Sequence, residues 1–293
     1  MRKLRIALLV VAGLVIVAAG AWWVVRPPVV RVNGRGVEAR VRGEGTPVVV
    51  FELGAEGGNL AYWKLQNAVS RVTRTLVYER AGLGRSDLVS AAGDAQTYAG
   101  QLHELLTALK LPPPYVLVGH SYGGMLVRVF AHRYPDEVSG LVFLDAATEN
   151  MYRYMKQHSP VEWAAAEHAN GPGFQNQWRA LPQTLQQVAA AWPLPDVPTT
   201  FLVADKPLGQ WPLATESDVK ELRQGQEALR SRIPGATWVP VPDSTHMSIL
   251  LKGQTADEII RLVNQIRSAQ RQPHHSAIAG GIATRTGSRS EGR

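Results

Sequence analysis

The chain has 293 residues, no cysteine and a formal charge of +7 at pH 7. That length holds one large α/β domain or two small ones, one domain with an insertion being preferred, and the missing thiols exclude disulfides, thiolate catalysis and thiolate metal sites. The ends carry the charge: residues 1–26 have Arg2, Lys3, Arg5 and Arg26 with no acid, residues 268–293 have Arg271, Arg285, Arg289 and Arg293 against Glu291, and the body from 27 to 267 is left neutral, which excludes a nucleic-acid groove.

Met1 to Arg5 is basic, and Ile6 to Val25 is twenty residues without a charge, the length of a bilayer-spanning helix. Arg2, Lys3 and Arg5 would hold the amino end in the cytoplasm, and Trp22 and Trp23 stand where an interfacial belt falls. The segment reads as an uncleaved signal anchor, with the remainder on the extracytoplasmic side. Ala19-Gly20-Ala21 also satisfies a small-x-small cleavage rule, so secretion after signal cleavage is the alternative.

Beyond Pro27-Pro28, short β-like runs fall at Val29 to Val32 and Val37 to Val41, and Val48 to Phe51 is apolar throughout, the mark of a buried central strand. A flexible loop follows, Glu52-Leu53-Gly54-Ala55-Glu56-Gly57-Gly58. A helical stretch, Leu60 to Ser70, leads to the strand Thr75 to Tyr78 and then to Glu79-Arg80-Ala81-Gly82-Leu83-Gly84-Arg85-Ser86-Asp87. Leu102, Leu105, Leu106 and Leu109 recur at the spacing of an amphipathic helix.

Tyr115 to Val118 runs directly into Gly119-His120-Ser121-Tyr122-Gly123-Gly124, a G-x-S-x-G pattern between a strand and a helical stretch that Pro135 stops. Ser121 is the candidate nucleophile. A serine hydroxyl is a poor nucleophile at neutral pH, and a sharp strand-to-helix turn brings it clear of the backbone, towards a base and oxyanion donors.

Val138 to Leu144 is the next strand and ends at Asp145. Residues 147–195 then break the alternation with Tyr152, Tyr154, Trp163, Phe174, Trp178 and Trp192, and read as a helical lid inserted over the site. Thr199 to Val203 resumes the sheet, Glu216 to Arg232 is a helix, Ala236 to Val239 is the final strand, and His246 lies just beyond it. A last helix carries Ile259, Ile260, Val263 and Ile266 on one face. Residues 268–293, rich in Ser, Gly and Arg without an apolar period, read as a disordered basic tail.

The run from Glu79 to Ser86 and the G-x-S-x-G turn, about 35 residues apart, together resemble the α/β-hydrolase family. Glu79 departs from its more usual Asp. The resemblance covers residues 30–267 and implies a mostly parallel sheet of about eight strands with helices on both faces and a helical lid. The core is then 27–146 and 196–267, and the lid 147–195.

The resemblance also implies roles. His246 stands in the family's histidine loop as the base, and the backbone N–H groups of Tyr122 and Ala55 form the oxyanion hole. Two residues compete as the acid. Most relatives place it after the seventh strand, where this chain has Asp205 two positions early and Pro207 at the family position; some, including certain haloalkane dehalogenases, place it after the sixth, where Asp145 lies. The 24-residue step from Ser121 to Asp145 fits delivery to the same sheet edge, so Asp145 is preferred and Asp205 is the alternative.

The implied reaction is hydrolysis of a small ester through an acyl-enzyme, with no metal and no cofactor. A peptidase or carbon–carbon hydrolase would use the same triad, and a non-catalytic sensor could use the same fold.

Overall fold

The computed structural model describes residues 27–90, 93–168, 171–206 and 215–271. The expected anchor, residues 6–25, lies outside them, as do residues 272–293. Among the described residues no helix is long and apolar enough to cross a membrane.

Eight strands form one sheet: β1 (Val29–Val32), β2 (Arg35–Arg42), β3 (Val48–Glu52), β4 (Thr75–Tyr78), β5 (Tyr115–His120), β6 (Val138–Leu144), β7 (Thr199–Ala204) and β8 (Thr237–Val241). Their spatial order is β1-β2-β4-β3-β5-β6-β7-β8. β2 pairs antiparallel with both β1 and β4, and every pairing from β4 to β8 is parallel. A parallel sheet needs both faces covered, and the apolar runs supply both. Val48, Val50, Leu117, Leu141 and Phe143 enter one core, while Val49, Phe51, Val116, Val118, Val142 and Leu144 enter the other.

The first core is closed by α2 (Ala95–Ala108), which buries Leu102, Leu105 and Leu106, and by α3 (Gly123–Arg133). The Asp94 carboxylate caps α2 by accepting from the Thr97 N–H at 2.9 Å. The second core is closed by α1 (Trp63–Val69) and α9 (Gly253–Arg271), through Leu65, Val69, Ile259, Leu262, Val263 and Ile266. The carboxyl-terminal boundary corrects the sequence reading: residues 268–271 continue α9 instead of starting the tail. Ala, Gln and Arg are good helix formers, so a polar turn propagates from the packed segment without an apolar face.

Between β6 and β7 lie four helices, α4 (Glu149–His158), α5 (Pro160–His168), α6 (Pro172–Arg179) and α7 (Leu181–Ala190). Tyr152, Phe174 and Trp178 are buried. Tyr152 meets Trp178 edge-on at 6.2 Å between ring centres, and Trp178 stacks on Phe174 at 5.6 Å. The insertion is moored by Arg128 of α3. Its guanidinium donates to both carboxylate oxygens of Glu149 at 2.7 and 3.0 Å and to the Val188 carbonyl at 3.0 Å, joining α4 and α7 to the sheet's own helix.

Arg128 is 1% exposed, so losing its counter-ion is costly. Glu149→Ala should lower stability in urea unfolding by about 3 kcal/mol, and the double change Arg128→Met with Glu149→Met should cost less than that single one. A double variant no more stable than Glu149→Ala would show that the ion pair does not moor the helices.

Candidate active site

The parallel register sets the site. Glu52 is level with Gly119, and His120 with Leu144, so the loops after β3, β5 and β6 leave the sheet at one edge. Crevice residues collect at such an edge in open α/β sheets. Ser121 is the first residue beyond β5, with φ +52°, a left-handed backbone that a residue with a Cβ adopts only under constraint. Its N–H donates to the Leu144 carbonyl at 3.2 Å, and its carbonyl accepts from Gly124 and Ala147, both at 2.9 Å. The helix that follows starts hard against β3: a Cβ on Gly123 would lie 2.2 Å from the Glu52 carbonyl oxygen. Only glycine allows that approach.

The structure brings together Ser121, His246, Asp145, Tyr122 and Ala55 at this edge. His246 lies in the loop after β8, 4% exposed, and its Nδ1 donates to Oδ2 of Asp145 at 2.7 Å. Nε2 is therefore the nitrogen left to act as a base in the neutral tautomer. Asp145 is wholly buried, with φ +39°. Its Oδ1 accepts from Arg223 at 2.9 Å and from the Ala204 N–H at 3.3 Å. Burial opposes the charge on Asp145, but the hydrogen bond and charge of His246, followed by Arg223, hold its carboxyl below the usual carboxylate range.

Asp205 is placed otherwise. Its two carboxylate oxygens accept from the backbone N–H groups of Asp243 and Ser244, each at 2.8 Å, and those bonds, the one from Asp243 foremost, lower its pKa. It braces the turn that leads to His246 and makes no hydrogen bond to the imidazole.

The loop after β3 passes over Ser121, a Cβ built on Gly54 falling 3.6 Å from Cβ of the serine. Ala55 and Tyr122 are both buried, yet among the described residues neither N–H has an acceptor. Buried N–H groups left unpaired are rare, and two beside one serine make a place for a developing negative oxygen. Among the described residues no cluster of His, Asp and Glu could hold a metal.

His120, which the motif alone gives no role, joins two of the loops at this edge. Its Nε2–H donates to the His246 carbonyl at 2.9 Å, its Nδ1 accepts from the Tyr62 hydroxyl at 2.7 Å, and that hydroxyl accepts from the Gly54 N–H at 3.3 Å. This chain of bonds fixes the tautomer and ties the β3 loop to the histidine loop. Burial, then the neighbouring His246, lowers the His120 pKa to about 3, so the ring stays neutral. Arg223 was missed as well. It lies on α8 (Glu216–Ser231), where it is one charge among many, and nothing in its neighbours marks the side that reaches Asp145.

The family model described as "alpha/beta hydrolase fold" matches residues 47–194, and the chain belongs to that family. A putative carbamate hydrolase, RutD of Cronobacter turicensis, is 35% identical over 103 residues, 34% of this chain and 38% of that protein. A probable transporter, efuK of Hormonema carpetanum, is 34% identical over 142 residues, 46% of this chain but 20% of the relative. The matches thus span well under half of each curated relative. Among solved structures, the meta-cleavage product hydrolase CumD of Pseudomonas fluorescens IP01 superposes with a TM-score of 0.56 at 17% identity, over 84% of this chain and 99% of that one.

Because the pKa of Asp145 is depressed on folding, its charge contributes stability that is complete above the unfolded value and lost as pH falls through the folded one. The difference in Tm between the native chain and Asp145→Asn should be full near pH 6 and shrink steadily below about pH 4. A difference that stays constant down to pH 2 would mean that folding does not lower this pKa, and one that grows as pH falls from 6 to 4 would mean that the buried carboxyl is uncharged.

Proposed function

We propose that the protein is a serine hydrolase of the carboxylesterase type acting on a small ester. Ser121 is the nucleophile, His246 the base, Asp145 the acid that orients it, and the N–H groups of Tyr122 and Ala55 the oxyanion donors. The single observation that carries this reading is the His246–Asp145 hydrogen bond at 2.7 Å beside a serine with a left-handed backbone. His246 Nε2 takes the hydroxyl proton as Oγ attacks the ester carbonyl, and the proton passes to the leaving alcohol. Water activated by the same nitrogen then releases the acid and restores the serine. Epoxide and halide chemistry in this fold uses a carboxylate nucleophile, which the serine disfavours. A binding-only protein would not need a serine, histidine and buried acid in this arrangement, so the set supports catalysis.

The full chain should be labelled by a fluorophosphonate and should hydrolyse short activated esters. Ser121→Ala should abolish labelling and lower turnover by several orders of magnitude, as loss of a triad nucleophile does in subtilisin. Asp145→Asn should cost on the order of ten-thousandfold through the wrong histidine tautomer, and Asp205→Asn little. Labelling that survives Ser121→Ala sinks the assignment, and a crippling Asp205→Asn beside a near-normal Asp145→Asn returns the acid to the seventh strand.

We also propose that residues 6–25 anchor the protein with its catalytic body on the extracytoplasmic side, on the strength of the basic flank, the uncharged span and the tryptophan pair. After a carbonate wash the full-length chain should remain in the membrane fraction. A soluble form beginning near Trp22 would instead establish cleavage.

A further inference from the structure

The segment from Glu52 to Ala55 is held from behind by one side chain. Arg80, 2% exposed, donates from Nη1 to Glu52 Oε1 and the Leu53 carbonyl, both at 2.7 Å. It donates from Nη2 to the Gly54 carbonyl at 2.5 Å and the Ala55 carbonyl at 3.4 Å, and from Nε to Gln177 Oε1 at 2.9 Å. Its five N–H groups meet five acceptors. Burial works against the guanidinium, and the Glu52 charge, with Tyr98, Tyr78 and the Glu52 hydrogen bond added to it, outweighs that, so the cation is retained. Burial pushes Glu52 up in turn, opposed by Arg80 and by a hydrogen bond from the Tyr78 hydroxyl.

Three features of this arrangement bear on the Ala55 N–H. The peptide from Gly54 to Ala55 is trans, so the N–H lies opposite the carbonyl across a rigid plane. Pinning the Gly54 oxygen to Arg80 therefore aims that N–H away from the guanidinium, and a cation on the oxygen polarises the N–H at the other side of the peptide. The second grip comes from the lid: Gln177 of α6, 3% exposed, donates from Nε2 to the Ala55 carbonyl at 2.7 Å while its oxygen holds Arg80. Finally, α6 is seated on the same turn that carries Arg80. A Cβ on Gly173 would lie 2.2 Å from the Gly82 carbonyl oxygen, a backbone contact that fixes how deep the helix sits. Trp178, next after Gln177, meets Tyr152, which meets Tyr122 edge-on at 6.3 Å, so α6 reaches the residues of both candidate donors.

We propose that Arg80 and Gln177 are positioning residues that aim the Ala55 N–H at the reacting oxygen, and that Gln177 makes this aim conditional on the lid helix α6 being seated. A lid displaced at α6 removes the bond to the Ala55 carbonyl, which holds the next peptide, and leaves the Arg80 Nε without its acceptor, so the plane carrying the Ala55 N–H loses its support on both neighbours and is held by the Arg80–Gly54 bond alone. The donor is complete only when the helix that covers the site is in place. This rests on the reading of Ser121 as nucleophile.

The test uses the full chain with Gln177→Met, which keeps the volume and removes both hydrogen bonds, and with Gln177→Glu, which keeps the acceptor for Arg80 but sets a carboxylate against the Ala55 carbonyl. Losing a whole oxyanion donor costs about a hundredfold to a thousandfold. A misaimed one should slow fluorophosphonate labelling of Ser121 by roughly tenfold to a hundredfold and weaken an aryl boronic acid in parallel, since both probes put an oxygen between the donors. Tm should move by only a few degrees, and the KM for a short ester by less than about twofold, because the bond acts on the transition state.

Amide hydrogen exchange across residues 53–58 should quicken in both variants while residues 115–130 stay unchanged, a readout independent of the chemistry at Ser121. Labelling within twofold of the native rate in both variants, or unchanged exchange at 53–58, overturns the proposal. A native chain that is not labelled at all refutes the nucleophile, and the exchange result still decides the clamp.

Discussion

The turn at Ser121 is the constraint from which the other arrangements follow. Holding a serine at φ +52° costs on the order of 1–3 kcal/mol, and it persists because the surroundings leave no other course. The serine N–H is bound to the end of β6, its carbonyl is bound to Gly124 of α3 and to Ala147 beyond β6, and α3 begins against the Glu52 carbonyl. Leu144 and Glu52 end strands packed on both faces, so relaxing the turn would disturb the sheet. The strain lies where β3, β5 and β6 end together, and the same convergence brings Asp145 and the Gly54 loop within reach.

What the sequence made legible follows from how local the information was. Runs such as Val48 to Phe51 and Tyr115 to Val118 are apolar at every position because both faces of a parallel strand are buried, so the strands could be placed from composition alone. The register of β5 and β6 made Asp145 a candidate by counting residues. Arg223, Gln177 and the bridging role of His120 could not be read in this way. Each acts on a partner far along the chain, 78, 122 and 126 residues away respectively, and a polar residue on a helix or in a turn gives no sign of which distant group it will meet. Asp205 shows the opposite failure. An acid near an expected position invited a catalytic role, and the structure uses it to brace a turn.

Two arginines in the interior have comparable duties. Arg128 and Arg80 each pair with a glutamate and also donate to backbone carbonyls, one for Arg128 and three for Arg80. A guanidinium cannot be neutralised by losing its proton, so each demands several acceptors in one geometry. Replacing such a pair by apolar residues often leaves a protein as stable or more so. Their value here lies in position: one fixes where the inserted helices meet α3, and the other where the loop after β3 meets α6.

Arg223 sets the net charge of the buried site. The Asp145 anion and the Arg223 cation cancel, so in the proposed reaction a neutral ester meets a matched pair of charges beside the histidine. In the proposed reaction the serine proton moves to His246 as the carbonyl oxygen becomes negative, so one cation and one anion appear together and the sum is unchanged. Neither stage asks a low-dielectric site to carry an uncompensated charge. The product is different. On the proposed reading the acid product, once ionised, is a negative charge in surroundings whose charges are already matched, and nothing there favours its staying. In the proposed reaction the permanent cation beside Asp145 thus leaves the site matched to a neutral reactant, with no spare positive charge to hold an anionic product.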